Sequence, residues 1–229
     1  MATFNELIFD IMETMRGNKV SDDTDLSERN IVYHLNNQRA LWLRNEYNKS
    51  NRKIDPQIEQ DLGCLKIVEV DAAECCTVDL GCTVLRTELQ IPNLLELHSG
   101  PAVTRVGPVH KLEKPFNFME YNQAIYASAG KYSGRVTVAF LLNDFIYMII
   151  KDPAYQNLEY INLRGVFTSP TDLIAFQCDE GACFSYDDEY PINSWMIPYI
   201  KEQILNQFGM SLQIPKDTTN DAKEDLTRK

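Results

Sequence analysis

Residues 135–150 read RVTVAFLLNDFIYMII, and this stretch decides the fold class. Two runs rich in β-branched and aromatic residues, 136–142 and 145–150, flank Asn143-Asp144. Asn and Asp tolerate the positive φ angles that a two-residue hairpin turn demands, so the stretch predicts a β-hairpin. Working outward, residues 65–70 (LKIVEV) alternate with the period of two that a half-buried strand needs, and 83–87 read similarly. Residues 158–163 form another strand candidate, closed by Ser169-Pro170. The middle of the chain is therefore expected to be mainly strands.

Helical patterns bracket this region. Thr3 and Glu6 have capping-box spacing, and Phe4, Leu7, Ile8, Ile11, Met12 and Met15 follow as an apolar stripe, ending at Gly17-Asn18. Asp25 and Glu28 repeat the capping spacing before Ile31, Val32, Leu35, Trp42 and Leu43. The link between these helices is short, which favours an antiparallel hairpin. After Tyr190-Pro191, a further helical face carries Ile192, Trp195, Met196, Tyr199, Ile200, Ile204 and Phe208. Pro198 lacks a backbone donor, so regular helix is expected to begin only just before it. The expected architecture is α+β: a helical hairpin (1–53), a β-rich middle (54–176), a C-terminal helical segment (177–214) and an extended polar tail (215–229). The last helix should pack back on the hairpin. Trp195 and the Ile192/Tyr199 face would then meet either Phe4, Leu7 and Ile11 or Leu35 and Trp42.

Bulk composition narrows the function classes. The 229 residues suffice for a substantial core, with 44% hydrophobic and 24% charged residues. The formal net charge is -11 and the pI about 4.8, which disfavours general coating of nucleic acid. No apolar run reaches membrane-spanning length. The first residues, MATFNE, carry an acid where a signal peptide carries bases, so synthesis and folding in a cytoplasm are expected. The six cysteines are accordingly expected to be free and mostly buried.

Chemistry-bearing motifs are sparse. Cys64, Cys75, Cys76, Cys82, Cys178 and Cys183 contain no pair at zinc-knuckle spacing. His34, His98 and His110 are widely separated and show no ligand pattern. Gly100 and Gly107 belong to neither a Walker-type loop nor a dinucleotide fingerprint. Asp187-Asp188-Glu189 lacks EF-hand spacing and reads as a solvated cap for the helix that follows. No catalytic, cofactor-binding or metal-binding residue is assigned.

Charge separation is the feature that remains. Residues 29–53 hold six bases (Arg29, Arg39, Arg44, Lys49, Arg52, Lys53) and one acid, Glu46. Residues 165–200 hold six acids (Asp172, Asp179, Glu180, Asp187, Asp188, Glu189) and no Lys or Arg. Complementary blocks favour docking, within the fold, between copies, or on a charged partner. Tyr33, Trp42 and Tyr47 accompany the bases, a mixture that also suits nucleic acid.

The order of these segments resembles neck proteins of tailed bacteriophages, in particular the portal-associated ring proteins of crAss-like phages. The likeness lies in residues 25–45, 62–76, 81–92, 106–127, 158–170, 190–205 and 215–225. It implies a ring of subunits, commonly dodecameric, that connects the portal to the tail around the DNA exit channel. It further implies a virion protein of the neck or tail, assembled in the host bacterial cytoplasm, with neither enzymatic activity nor a cofactor. Its partners would be copies of itself, the portal protein and neighbouring tail or ring proteins. Genomic DNA would pass without specific binding, and no membrane would be involved.

Ring closure needs one face of a subunit to meet a different face of its neighbour. Arg39, Arg44, Arg52 and Lys53 are candidates for one side of that contact, and Asp179, Glu180, Asp187 and Asp188 for the other. The tail, through Lys216, Asp217, Asn220, Asp221 and Lys223, is the candidate for docking onto the portal or a neighbouring ring. Two other classes stand beside this one: a DNA-binding accessory protein using the basic 29–53 helix, and a cysteine-dependent hydrolase.

Overall fold

The computed structural model describes residues 3–15, 27–49, 53–71, 83–110, 112–127, 136–150, 152–155, 157–178 and 181–211. The hairpin expected over residues 135–150 is present: β7 (Val138–Leu142) and β8 (Phe145–Ile149) pair antiparallel, with Leu142 opposite Phe145. Asn143 and Asp144 make the turn at φ of 50° and 63°. Before this hairpin come β1 (Gln60–Asp71), β2 (Thr83–Thr87), the short β3 (Glu96–Leu97) and β4 (Gly100–Pro101), β5 (Val103–Pro108) and β6 (Asn117–Phe118). After it come β9 (Tyr160–Gly165), β10 (Gln177–Cys178) and β11 (Gly181–Ala182). Among the described residues, the largest sheet has seven strands in the order β5-β9-β1-β2-β8-β7-β6.

The two end strands of this sheet meet. Phe116 N donates to Val106 O on β5 at 2.7 Å, and the next two residues pair in parallel with Val138 and Ala139 of β7. The segment 116–118 therefore bridges both edges, and the sheet curls toward a barrel, which removes exposed strand edges. Gly107 permits the close approach, because a Cβ there would lie 3.2 Å from Pro115 Cα. β1 carries a bulge: two residues, Gly63 and Cys64, oppose the single Asn162, and Cys64 takes φ of 54°.

Strand alternation sorts side chains onto two faces. Ala139, Ile146, Met148, Leu62, Leu65, Ile161, Leu163 and Val106 join the main core. Val138, Phe140 and Tyr147 point the other way, where Ala124 of α3 (Tyr121–Ala127) covers them. Each large aliphatic side chain buried this way contributes about 1.5–3 kcal/mol.

Three longer helices complete the main core: α1 (Phe4–Met15), α2 (Glu28–Lys49) and α4 (Ile197–Ser211). The capping box at the start of α1 is made, with Thr3 N to Glu6 Oε2 at 2.9 Å and Glu6 N to Thr3 Oγ1 at 3.2 Å. α2 is capped by Ser27, whose Oγ accepts from Asn30 N, whereas the cap expected at Asp25 lies outside the described residues. α4 begins one residue before Pro198, where a missing donor costs nothing. It packs on both α1 and α2, and Lys201 Nζ reaches Asp10 Oδ2 at 2.6 Å.

Three expectations are corrected. Ile192, Met196, Ile200, Ile204 and Phe208 are buried at steps of four, but Trp195 and Tyr199 sit one position back and are exposed. Tyr199 still meets Trp42, at 5.5 Å between ring centroids. The acidic stretch serves α1 rather than the following helix. Phe4 N and Asn5 N donate to the carbonyls of Asp188 and Tyr186, and Asn5 Nδ2 donates to Asp187 Oδ1 at 2.7 Å. Those contacts satisfy donors that a helix start leaves open. Finally, Cys183 is disulfide-bonded, whereas Cys64 keeps a half-buried thiol; Cys75, Cys76 and Cys82 lie outside the described residues.

Candidate assembly surface

The basic helix divides into an inner and an outer row. Ile31, Leu35, Arg39 and Leu43 recur every four residues, and all four are buried. Arg39 thus falls on the apolar stripe, and it is 0% exposed. Its Nε donates to Pro191 O and its Nη1 to Phe167 O, both at 2.8 Å, while Nη2 has no hydrogen-bond partner. Burial pulls its pKa below the ordinary arginine value, opposed in part by the nearby Tyr190 phenol.

A buried polar cluster surrounds it. Tyr190 OH donates to Asn36 Oδ1 at 2.9 Å, and Asn36 Nδ2 donates to Ser169 Oγ and Thr171 Oγ1. The Tyr190 ring stacks on Phe4 at 4.8 Å and lies under the guanidinium. Together these contacts tie α2 to two loops and to α1. Arg39 therefore leaves the set of interface bases: its guanidinium is sealed inside the subunit. The signal was present in its four-residue spacing from Leu35 and Leu43.

The outer row is open. Arg29, Arg44 and Lys49 on α2 and Lys53 beyond it are exposed, and Arg52 lies outside the described residues. Tyr33 and Leu41 share this face, 64% and 53% exposed. Between them and the segment 93–96 runs an open groove of about 730 Å³, with Arg44 and Glu96 among its walls. Nothing in the charge pattern announced this apolar strip; its signal is the eight-residue spacing of Tyr33 and Leu41.

On the acidic side, Asp187 and Asp188 are exposed and close to each other. Each also serves the local fold, since Asp188 Oδ2 accepts from Ser185 N at 2.6 Å and Asp187 accepts from Asn5. Asp179, Glu180 and the tail residues Lys216, Asp217, Asn220, Asp221 and Lys223 lie outside the described residues. Among the described residues, no group of three or more His, Cys, Asp or Glu could hold a metal ion. No described helix is long and apolar enough to cross a membrane. His34 is occupied by aromatic rings, those of Tyr33 and Phe208.

The picture is of a core-anchored helix presenting a mixed basic and apolar face. Comparison with known proteins gives that face a context. Residues 6–226 match the family model described as phage tail ring protein 2. The chain is also 23% identical over 230 aligned positions to ring protein 2 of Bacteroides phage crAss001, covering 98% of each chain. With nearly its whole length matched, this α+β chain belongs to the phage tail ring protein 2 family of crAss-like phages.

Proposed function

We propose that the chain forms a closed ring in the phage neck, connecting the portal to the tail around the DNA exit channel. The observation that carries this reading is the full-length match to a ring protein family. Self-association then needs two different faces per subunit. Arg44, Arg52 and Lys53 supply bases to one, and Asp179, Glu180, Asp187 and Asp188 supply acids to the other. A dodecamer is the subunit number this reading favours.

The tail 215–229 docks onto the portal or an adjacent ring through Lys216, Asp217, Asn220, Asp221 and Lys223. One large apolar residue in that stretch, Leu226, is too little to fold on, which suits ordering against a partner. The net charge of -11 suits a channel wall along which duplex DNA slides, since carboxylates and phosphates repel. Assembly takes place in the host cytoplasm, and the ring works as a structural part rather than as an enzyme.

Native mass spectrometry of the full chain across a salt series, with and without portal protein, tests this reading. A high-order ring that dissolves with salt, alone or only on portal, is expected. A monomer indifferent to portal would overturn it. Removing 215–229 should leave the ring intact and abolish its association with portal or the adjacent ring. Unchanged association would remove the tail from the proposal.

A second reading, duplex binding by α2, is favoured by the exposed Arg29, Arg44 and Lys49 beside Tyr33. Burial of Arg39 takes one base out of that row. Nanomolar, salt-sensitive affinity for DNA by the isolated chain would restore it.

A further inference from the structure

Among the described residues, the most exposed large apolar side chain sits beside an anchored turn. Leu112 is 92% exposed. The turn around it is rooted by Arg105, whose Nη2 donates to the carbonyls of His110 and Glu113, both at 3.3 Å. The same guanidinium donates through Nη1 to the buried Asn162 at 3.2 Å. Leu112 is therefore presented on a preorganised support, which lowers the ordering cost of a contact.

The chain also carries a seat that its own turn cannot reach. The groove between Tyr33, Leu41 and residues 93–96 abuts the start of β5, since Ala102 N donates to Leu95 O at 2.9 Å. The turn leaves β5 from its other end, after Pro108. Six extended residues separate the two by about 20 Å. Their chemistry is complementary. Leu112, Glu113 and Lys114 are all exposed and offer an apolar group, an acid and a base. The groove offers the apolar Tyr33 and Leu41, the base Arg44 and the acid Glu96.

We infer that the turn bearing Leu112 seats in the α2 groove of the next copy of this chain, with Glu113 on Arg44 and Lys114 on Glu96. Two different surfaces of one chain then meet head to tail, the kind of contact that closes a ring. The inference rests on the ring reading and gives Arg44 a different acid, Glu113, in place of the acidic block, which is left to Arg52 and Lys53.

The test is assembly of the full chain, read by native mass spectrometry beside its thermal unfolding midpoint. Leu112→Asp and Leu41→Asp should each weaken ring formation roughly 10-fold or more, because each removes a desolvated apolar contact. Both side chains are solvent-facing in the subunit, so the unfolding midpoint should stay put. Arg44→Glu should likewise dissolve rings, and adding Glu113→Arg should recover them.

Rings that form normally from Leu112→Asp overturn this contact and leave the ring reading standing. Recovery of Arg44→Glu by Asp187→Arg instead of Glu113→Arg assigns the groove to the acidic block and overturns it too. So does loss of rings on removal of 215–229 while Leu112→Asp assembles, because the seat then belongs to the tail. A wild-type chain that stays monomeric, alone and with portal, removes the ring reading and this contact with it.

Discussion

Arg39 shows how a charged residue can be structural. Its guanidinium meets two backbone carbonyls and the Tyr190 ring, with no hydrogen-bonded acid among the described residues. Truncation would leave Phe167 O and Pro191 O without that donor and open a cavity. Arg39→Ala should therefore cost about 3 kcal/mol, measured by urea unfolding. Tyr190 contributes a pH dependence. Burial raises its pKa above the ordinary 10, with Arg39 pulling weakly the other way. Below pH 10 the phenol is protonated in both states and the contribution is whole. Above pH 10 only the unfolded chain releases the proton, so stability falls as pH rises. Tyr190→Phe should flatten this alkaline decline while losing about 1 kcal/mol at neutral pH through its bond to Asn36. Gly165 is constrained differently, since a Cβ there would lie 2.6 Å from Ala102 O. Backbone must move to admit it, so Gly165→Ala should lower stability by about 2 kcal/mol in a thermal melt.

At the scale of elements, local chemistry settles the ends and turns. The Thr3/Glu6 capping box was legible from spacing alone, because both partners lie within one helical turn. Thr3→Ala should cost about 1 kcal/mol, checked by equilibrium unfolding. The β7–β8 turn holds two non-glycine residues at positive φ. Asp144→Gly relieves one of them and should stabilise the hairpin by about 0.5–1 kcal/mol, provided Ile91 N keeps its 2.7 Å bond to the carbonyl at 144. The same measurement should show a raised midpoint at unchanged urea slope. The destination of the 185–189 turn was not legible. Its acids read as a cap for the nearest helix in sequence, yet they meet the start of α1, which is nearest in space.

For the molecule as a whole, one core cluster takes side chains from α1, α2, α4 and the seven-stranded sheet. Trp42 and Trp195 report on the helices, while far-ultraviolet dichroism averages over all elements. Their urea transitions should coincide, because helices and sheet share buried neighbours. Separate midpoints would mean that the helical layer unfolds independently of the barrel. Bridging by residues 116–118 also withdraws the end strands of the seven-stranded sheet from backbone pairing with a neighbour. That arrangement directs association through side-chain chemistry, which can be specific, rather than backbone pairing, which is not.

Sequence by itself determined the elements whose cause is local. The 143–144 turn, the period-two strands around it, the apolar stripe of α1 and the start of α4 at Pro198 all follow from neighbouring residues. It also determined that charge is segregated along the chain. Tertiary structure alone decided which charges are available, because burial depends on what packs over a helix face. Arg39 and Arg44 are five residues apart on the same helix, yet one is sealed beneath Phe167 and Pro191 while the other faces solvent. It likewise decided that the sheet closes, since the bond from Phe116 to Val106 depends on strands distant in sequence curling into reach. Long-range proximity is the quantity a linear pattern does not encode, and the candidate site is built from it.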